Sequence, residues 1–157
     1  MAMKKLRTGI IGQGRSGCDI HAHLLELLPN KFTIAAVADP LEDRRKEAEE
    51  RFGCTSFTDF REMVSSTKLD LVVNASPSYL HVPITAELLD GGYNVLCEKP
   101  LARRAAEVDD LTARAAASGA HLAVYQQSRF APYFLKVRKI VDSGILGRIV
   151  MIRITFN

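Results

Sequence analysis

An apolar run at Leu6–Ile11 that opens into a loop with glycines at 12, 14 and 17 constrains this chain more than any other feature. The G-x-G-x-x-G spacing has structural meaning only between a strand and a helix. Its flanks predict that context. LRTGII reads as a strand, and Cys18, Ile20, Leu24, Leu25, Leu27 and Leu28 recur as on a helix. In such a turn Gly12 permits the tight reversal, Gly14 lets the backbone approach a diphosphate, and Gly17 lets helix and strand pack closely. Gln13, Arg15 and Ser16 belong to the same candidate dinucleotide loop, with the ligand's negative charge at a helix N-terminus.

A second apolar segment, Phe32–Ala38, ends in Asp39. That acid stands about 22 residues beyond Gly17, close to where a dinucleotide fold places its ribose-binding carboxylate. The competing reading is a cap for the helix that follows Pro40. An acid at this place accepts hydrogen bonds from a free 2'-hydroxyl and repels a 2'-phosphate, which points to NAD. Arg44 and Arg45 keep NADP open: either can reach a phosphate, and both also read as exposed helix residues.

Strand and helix patterns alternate along the whole chain, the sequence form of an α/β fold whose doubly wound parallel sheet carries helices on both faces. Leu41–Phe52 predicts a charged helix stopped by Gly53, and Thr55–Phe57 a very short strand. Asp59-Phe60-Arg61-Glu62 reads as a capping box opening a two-turn helix. Leu69–Ala75 is nearly all apolar, as a buried parallel strand requires. Pro83 suits the first turn of a helix to Asp90, and Asn94–Cys97 and Leu122–Tyr125 read as strands on either side of an alanine-rich helix, Arg103–Ser118. Pro132 opens a helix through Val141. Gly147–Phe156 then alternates like a half-buried strand, expected to begin a second, α+β domain. The chain is accordingly expected to divide into a dinucleotide-binding domain at 1–147 and, at 148–157, the start of a truncated substrate or oligomerisation domain.

Composition narrows the function classes. With 157 residues, 47% hydrophobic and 25% charged, the chain can bury one good core. A net charge of +3, spread over short basic groups without interleaved aromatics, argues against nucleic-acid binding. The three cysteines, Cys18, Cys54 and Cys97, are far apart and lack metal spacing, which favours reduced thiols and a cytoplasmic setting. His21 and His23 point to different helix faces, so a shared metal is not expected. With no apolar run of ~18 residues, membrane association is not expected either.

Three further groups fall at the carboxyl ends of predicted strands, where open α/β sheets hold ligands. They are Ala75-Ser76-Pro77-Ser78-Tyr79-Leu80-His81, Glu98-Lys99-Pro100, and Tyr125-Gln126-Gln127-Ser128-Arg129-Phe130. His81 reads equally as a ligand neighbour or as a cap or packed imidazole, and Arg129 as a ligand contact or an ion-pair partner. Gln126 and Gln127 are weaker candidates, and His121 carries no functional reading.

With the glycine loop, these residues resemble the N-terminal domain of the glucose-fructose oxidoreductase, inositol dehydrogenase and rhizopine-catabolism family (Gfo/Idh/MocA). Glu98-Lys99-Pro100 is the most particular of the motifs. Ser76-Pro77-Ser78-x-x-His81 is similar to the family's Thr-Pro-Asn-x-x-His, with Ser78 replacing the asparagine whose amide helps to hold the cofactor. The resemblance implies a Rossmann fold, NAD or NADP, and hydride transfer at a hydroxyl or carbonyl carbon, commonly of a sugar or polyol. It implies that Ser76, Pro77, Ser78, His81, Glu98, Lys99 and Pro100 lie around the cofactor. Lys99 matches the lysine beside the nicotinamide and the reacting oxygen, and an ammonium there suits an alkoxide or a proton exchange. Glu98 is expected to orient or neutralise Lys99. In the family, a histidine and an acid from a second domain complete the acid–base set, so this chain is expected to bind cofactor without efficient turnover.

Two other classes remain as alternatives. One is a free-standing nicotinamide sensor that pairs with a partner, or with a second copy as a homo-oligomer, through its final strand. The other is a methyl-donor-binding transferase, which the loop spacing and Lys99 fit less well.

Overall fold

In the computed structural model, which describes residues 4–155, the chain resolves into two compact units, Met1–Tyr125 and Gln126–Asn157. In the first, six strands form one sheet: β1 (Leu6–Ile11), β2 (Phe32–Ala38), β3 (Thr55–Phe57), β4 (Leu71–Asn74), β5 (Val95–Cys97) and β6 (Leu122–Val124). Every neighbouring pair is parallel, in the order β3-β2-β1-β4-β5-β6. The expected doubly wound sheet is present.

The strand residues explain why helices cover both faces. Because side chains alternate along a strand, Ile10 and Ile11 enter opposite cores, as do Val37 and Ala38, and Val72 and Val73. One face packs on Met63 of α3 (Phe60–Ser66), on Leu88 and Leu89 of α4 (His81–Asp90), and on Leu111 of α5 (Ala105–Ser118). The other packs on Ala22 and on Ala48 of α2 (Glu42–Phe52). Near-continuous apolar strands are thus what a sheet buried on both sides demands.

The helix after the glycine loop differs from the regular one that the apolar pattern predicts. Ser16–Ala22 is π-helical and passes directly into a short α1 (His23–Glu26). At α3 Asp59 caps the helix, accepting the Arg61 N–H at 2.7 Å, but the reciprocal Glu62 bond of the expected capping box does not form among the described residues. Gly53 and Gly119 end α2 and α5 in the left-handed conformation.

The second unit holds a 3₁₀ turn at Gln127–Phe130, with Arg129 exposed, and α6 (Pro132–Asp142), opened by its proline as expected. The alternation at 147–156 does not become a strand. Residues 148–155 carry no regular secondary structure, and Val150, Met151, Ile152 and Ile154 are exposed. An alternating sequence makes a strand only with a ladder partner, and among the described residues no strand pairs with this segment. Phe156, the end of the expected strand, lies outside the described residues.

Candidate functional site

Between β1 and β4 the order of connection reverses, so the loops that leave these two strands diverge and open a crevice. The glycine loop forms one lip. Gly12 adopts φ +86°, and a Cβ there would lie 2.6 Å from the Ala75 carbonyl oxygen. A Cβ on Gly17 would stand 1.7 Å from the Gly12 carbonyl oxygen. Both positions therefore require glycine for backbone reasons alone. Gly14 is different: the nearest atom to its Cβ position is Nη1 of Arg44, at 3.7 Å. Its open side faces a cavity of about 690 Å³.

That cavity runs from Gly12, Gly14, Arg15 and Ser16 past Asp39 and Arg44 to Thr58, Asp59 and Phe60 beyond β3, and on its other wall to Ser76, Pro77 and Tyr79. Ile11, Ala38, Leu41, Leu80 and Ile84 give it an apolar lining. Asp39 is 2% exposed. Its Oδ2 accepts the Gln13 N–H at 2.7 Å, its Oδ1 accepts the Leu41 N–H at 2.9 Å, and Arg44 Nη1 approaches Oδ2 at 3.5 Å. The carboxylate thus pins the glycine loop and turns the chain into α2, and it lines the cavity as well. The cap of α2 is Leu41, with no side-chain cap bond, so Asp39 braces the turn before the helix rather than capping it. Arg45 faces elsewhere, donating to the carbonyls of Asp39 and Pro40. Gln13 is buried and outside the cavity lining, and its Oε1 has no partner among the described residues.

The 76–81 loop is held from beneath by Asn74. Its Oδ1 accepts the Ser76 hydroxyl at 2.7 Å and the Ser76 N–H at 3.3 Å. Its amide donates to Thr85 Oγ1 at 3.1 Å and to the His81 carbonyl at 3.3 Å. Ser76 therefore reaches the cavity with its hydroxyl proton already turned inward. Ser78 opens a 3₁₀ turn, Ser78–Leu80, and does not line the cavity, whereas Tyr79 does. His81 is 1% exposed, with Nδ1 2.7 Å from the Pro100 carbonyl oxygen and Nε2 2.9 Å from that of Ser76.

Of the two roles expected for Glu98, orienting or neutralising Lys99, the neutralising ion pair is absent among the described residues and the contact is with the Lys99 main chain. Glu98 Oε1 accepts from His21 Nε2 at 3.0 Å and its Oε2 from the Lys99 backbone N–H at 3.0 Å. It engages the Lys99 main chain and leaves the exposed ammonium alone, because the carboxylate faces the interior while the lysine side chain faces out. The His21 ring lies 4.5 Å from that of Tyr125, tilted by 60°. Burial pushes the His21 imidazole below its usual range, opposed by the hydrogen bond to Glu98. Burial, and then the Glu98 charge, push Tyr125 up.

Sequence reasoning missed His21, Asn74 and Thr85, as well as the Thr58–Phe60 end of the cavity. The available signals were a histidine on the first turns after the glycine loop and an asparagine closing an otherwise apolar strand. The donors and the open face suit a dinucleotide. Gly14 offers close backbone approach, Ser16 opens a helix toward the cavity, and a buried acid follows β2.

Comparison with known proteins agrees with this geometry. The model of the Gfo/Idh/MocA family, described as an oxidoreductase family with an NAD-binding Rossmann fold, matches residues 6–126. An uncharacterized oxidoreductase of Schizosaccharomyces pombe is 32% identical over 153 residues, 94% of this chain and 41% of that protein. Inositol 2-dehydrogenase of Corynebacterium glutamicum is 30% identical over 157 residues, 96% of this chain and 45% of that enzyme. The WlbA dehydrogenase of Bordetella pertussis, solved with NADH and UDP-GlcNAcA, superposes with a TM-score of 0.87 at 26% identity, covering 94% of this chain and 44% of its own. The chain therefore spans less than half the length of these relatives.

Proposed function

This chain belongs to the Gfo/Idh/MocA oxidoreductase family, and we propose from that premise that its cavity holds NAD(H) for hydride exchange with a hydroxyl or carbonyl carbon. The observation that carries the proposal is the joining, in one crevice, of the open face of Gly14 and the buried carboxylate of Asp39. The backbone at Gly14 and the helix start at Ser16 take the diphosphate. Asp39 takes the ribose hydroxyls, and the apolar walls beside Leu41, Phe60 and Ile84 take the adenine side. When bound, the nicotinamide supplies the hydride acceptor or donor. Lys99, at the carboxyl end of β5, stabilises charge on the reacting oxygen or exchanges its proton.

The preference for NAD rests on Asp39, whose charge opposes a 2'-phosphate. Arg44, beside the same carboxylate, moderates that preference. The substrate class is a sugar, polyol or related compound, a reading supported by the inositol 2-dehydrogenase among the relatives and by the WlbA dehydrogenase solved with UDP-GlcNAcA. In the family a histidine and an acid from a second domain complete the acid–base set, so these 157 residues by themselves are expected to bind cofactor with little or no catalysis. Fluorescence titration with NADH and NADPH tests the reading. Saturable NADH binding, tighter than NADPH, is expected. Tighter NADPH binding overturns the NAD preference, and no saturation with either overturns the site.

A further inference from the structure

We propose that His21 is a positioning residue for Lys99, acting through the carboxylate of Glu98; this rests on the reading of Lys99 as the group at the reacting oxygen. His21 and Glu98 are both buried, although 77 positions separate them in sequence. A buried carboxylate is stable only when its oxygens receive donors. Glu98 receives one from each side, the His21 ring at Oε1 and the Lys99 N–H at Oε2. Removing the ring leaves the buried Oε1 without a donor, so the carboxylate must turn to find another. That movement disturbs the acceptor that fixes the Lys99 main chain.

The ring is itself held in place. It packs on Tyr125 and sits in the π-helical segment that starts at Ser16, on the lip of the cavity. One unbroken path thus leads from the glycine loop through His21 and Glu98 to the residue that carries the reactive ammonium. On the far side, His81 bridges the carbonyl oxygens of Pro100 and Ser76. The segment 98–100 is therefore gripped by two buried imidazoles, one from each element that leads away from the cavity's loops. Neither ring lines the cavity, so their part is to hold Lys99 rather than to touch ligand.

The experiment compares wild type, His21→Ala, His21→Asn and Glu98→Gln in the 157-residue chain. Two quantities are read: the Lys99 amide resonance, and the protection of Lys99 by NADH against trinitrobenzenesulfonate, mapped by peptide mass. In wild type the amide lies downfield, as a donor to a carboxylate, and NADH protects Lys99. His21→Ala moves the amide and abolishes protection although NADH still binds, and His21→Asn, which keeps a donor, restores both. Glu98→Gln shifts the amide upfield and covers the case in which His21→Ala does not fold. An unchanged amide and unchanged protection in His21→Ala and Glu98→Gln overturn the proposal. So does NADH that binds wild type without protecting Lys99. A wild-type chain that does not bind NADH overturns the cofactor reading itself.

Discussion

Gly17 and Gly12 touch so closely that a Cβ built on Gly17 falls 1.7 Å from the Gly12 carbonyl oxygen. Two glycines of the loop are thus needed by the fold before any ligand is considered. Gly17→Ala must push the loop off β1 or the helix off the sheet. The expected loss is at least ~3 kcal/mol of unfolding free energy, measured by urea denaturation. A variant as stable as wild type would mean that the turn is far more pliable than this contact implies.

Asp39 serves two structural amides and, on our reading, one cofactor. Asp39→Ala frees the Gln13 and Leu41 N–H groups, at a cost of about 1.5–3 kcal/mol in stability for hydrogen bonds to a charged acceptor. It also removes the charge that opposes a 2'-phosphate and releases Arg44. The ratio of NADPH to NADH dissociation constants is expected to fall at least ~10-fold, equivalent to about 1.4 kcal/mol. Paired titrations with the two dinucleotides measure it, and an unchanged ratio would remove Asp39 from cofactor selection.

Much of this geometry is legible in the sequence because it follows from local rules. The apolar strands, the stops at Gly53 and Gly119 and the Asp59 cap each depend on a few neighbouring residues, and each forms where its pattern lies. Contacts between distant segments are not written that way. His21 reads as an ordinary helix histidine until the sheet brings it against Glu98, and Asn74 as a polar interruption until α4 sets Thr85 beside it. The same limit explains the segment after Gly147, whose alternation describes one strand and says nothing of the partner that a ladder requires.

Asn74 is fully buried and satisfies the Ser76 hydroxyl, the Thr85 hydroxyl and the His81 carbonyl together. Asn74→Ala leaves the Ser76 hydroxyl and N–H without their shared acceptor, with an expected cost of about 2–3 kcal/mol. The 76–81 loop is expected to loosen selectively, seen as faster amide hydrogen exchange there than in α5. Uniform exchange across the sheet would contradict a loop-specific role.

Burial lowers the proton affinity of His21 in the folded chain below its ordinary value near 6.5. As pH falls through that value, the unfolded chain takes up a proton that the folded chain resists, so folding stability declines on acidification and is regained above it. His21→Gln removes this component, and its unfolding free energy between pH 5 and 7 is expected to vary less steeply than that of wild type. Parallel slopes in urea titrations would show that His21 titrates alike in both states.

Gly14 is the glycine whose open side meets only the tip of Arg44 and the cavity, so a side chain there burdens the ligand and spares the fold. The decisive measurement is calorimetric titration of NADH into wild type and Gly14→Val, with thermal melts of both. Saturable binding by wild type, weakened at least ~10-fold in Gly14→Val, or about 1.4 kcal/mol, with little change in melting temperature, is the predicted result. Equal NADH affinity in two equally stable proteins would contradict the account.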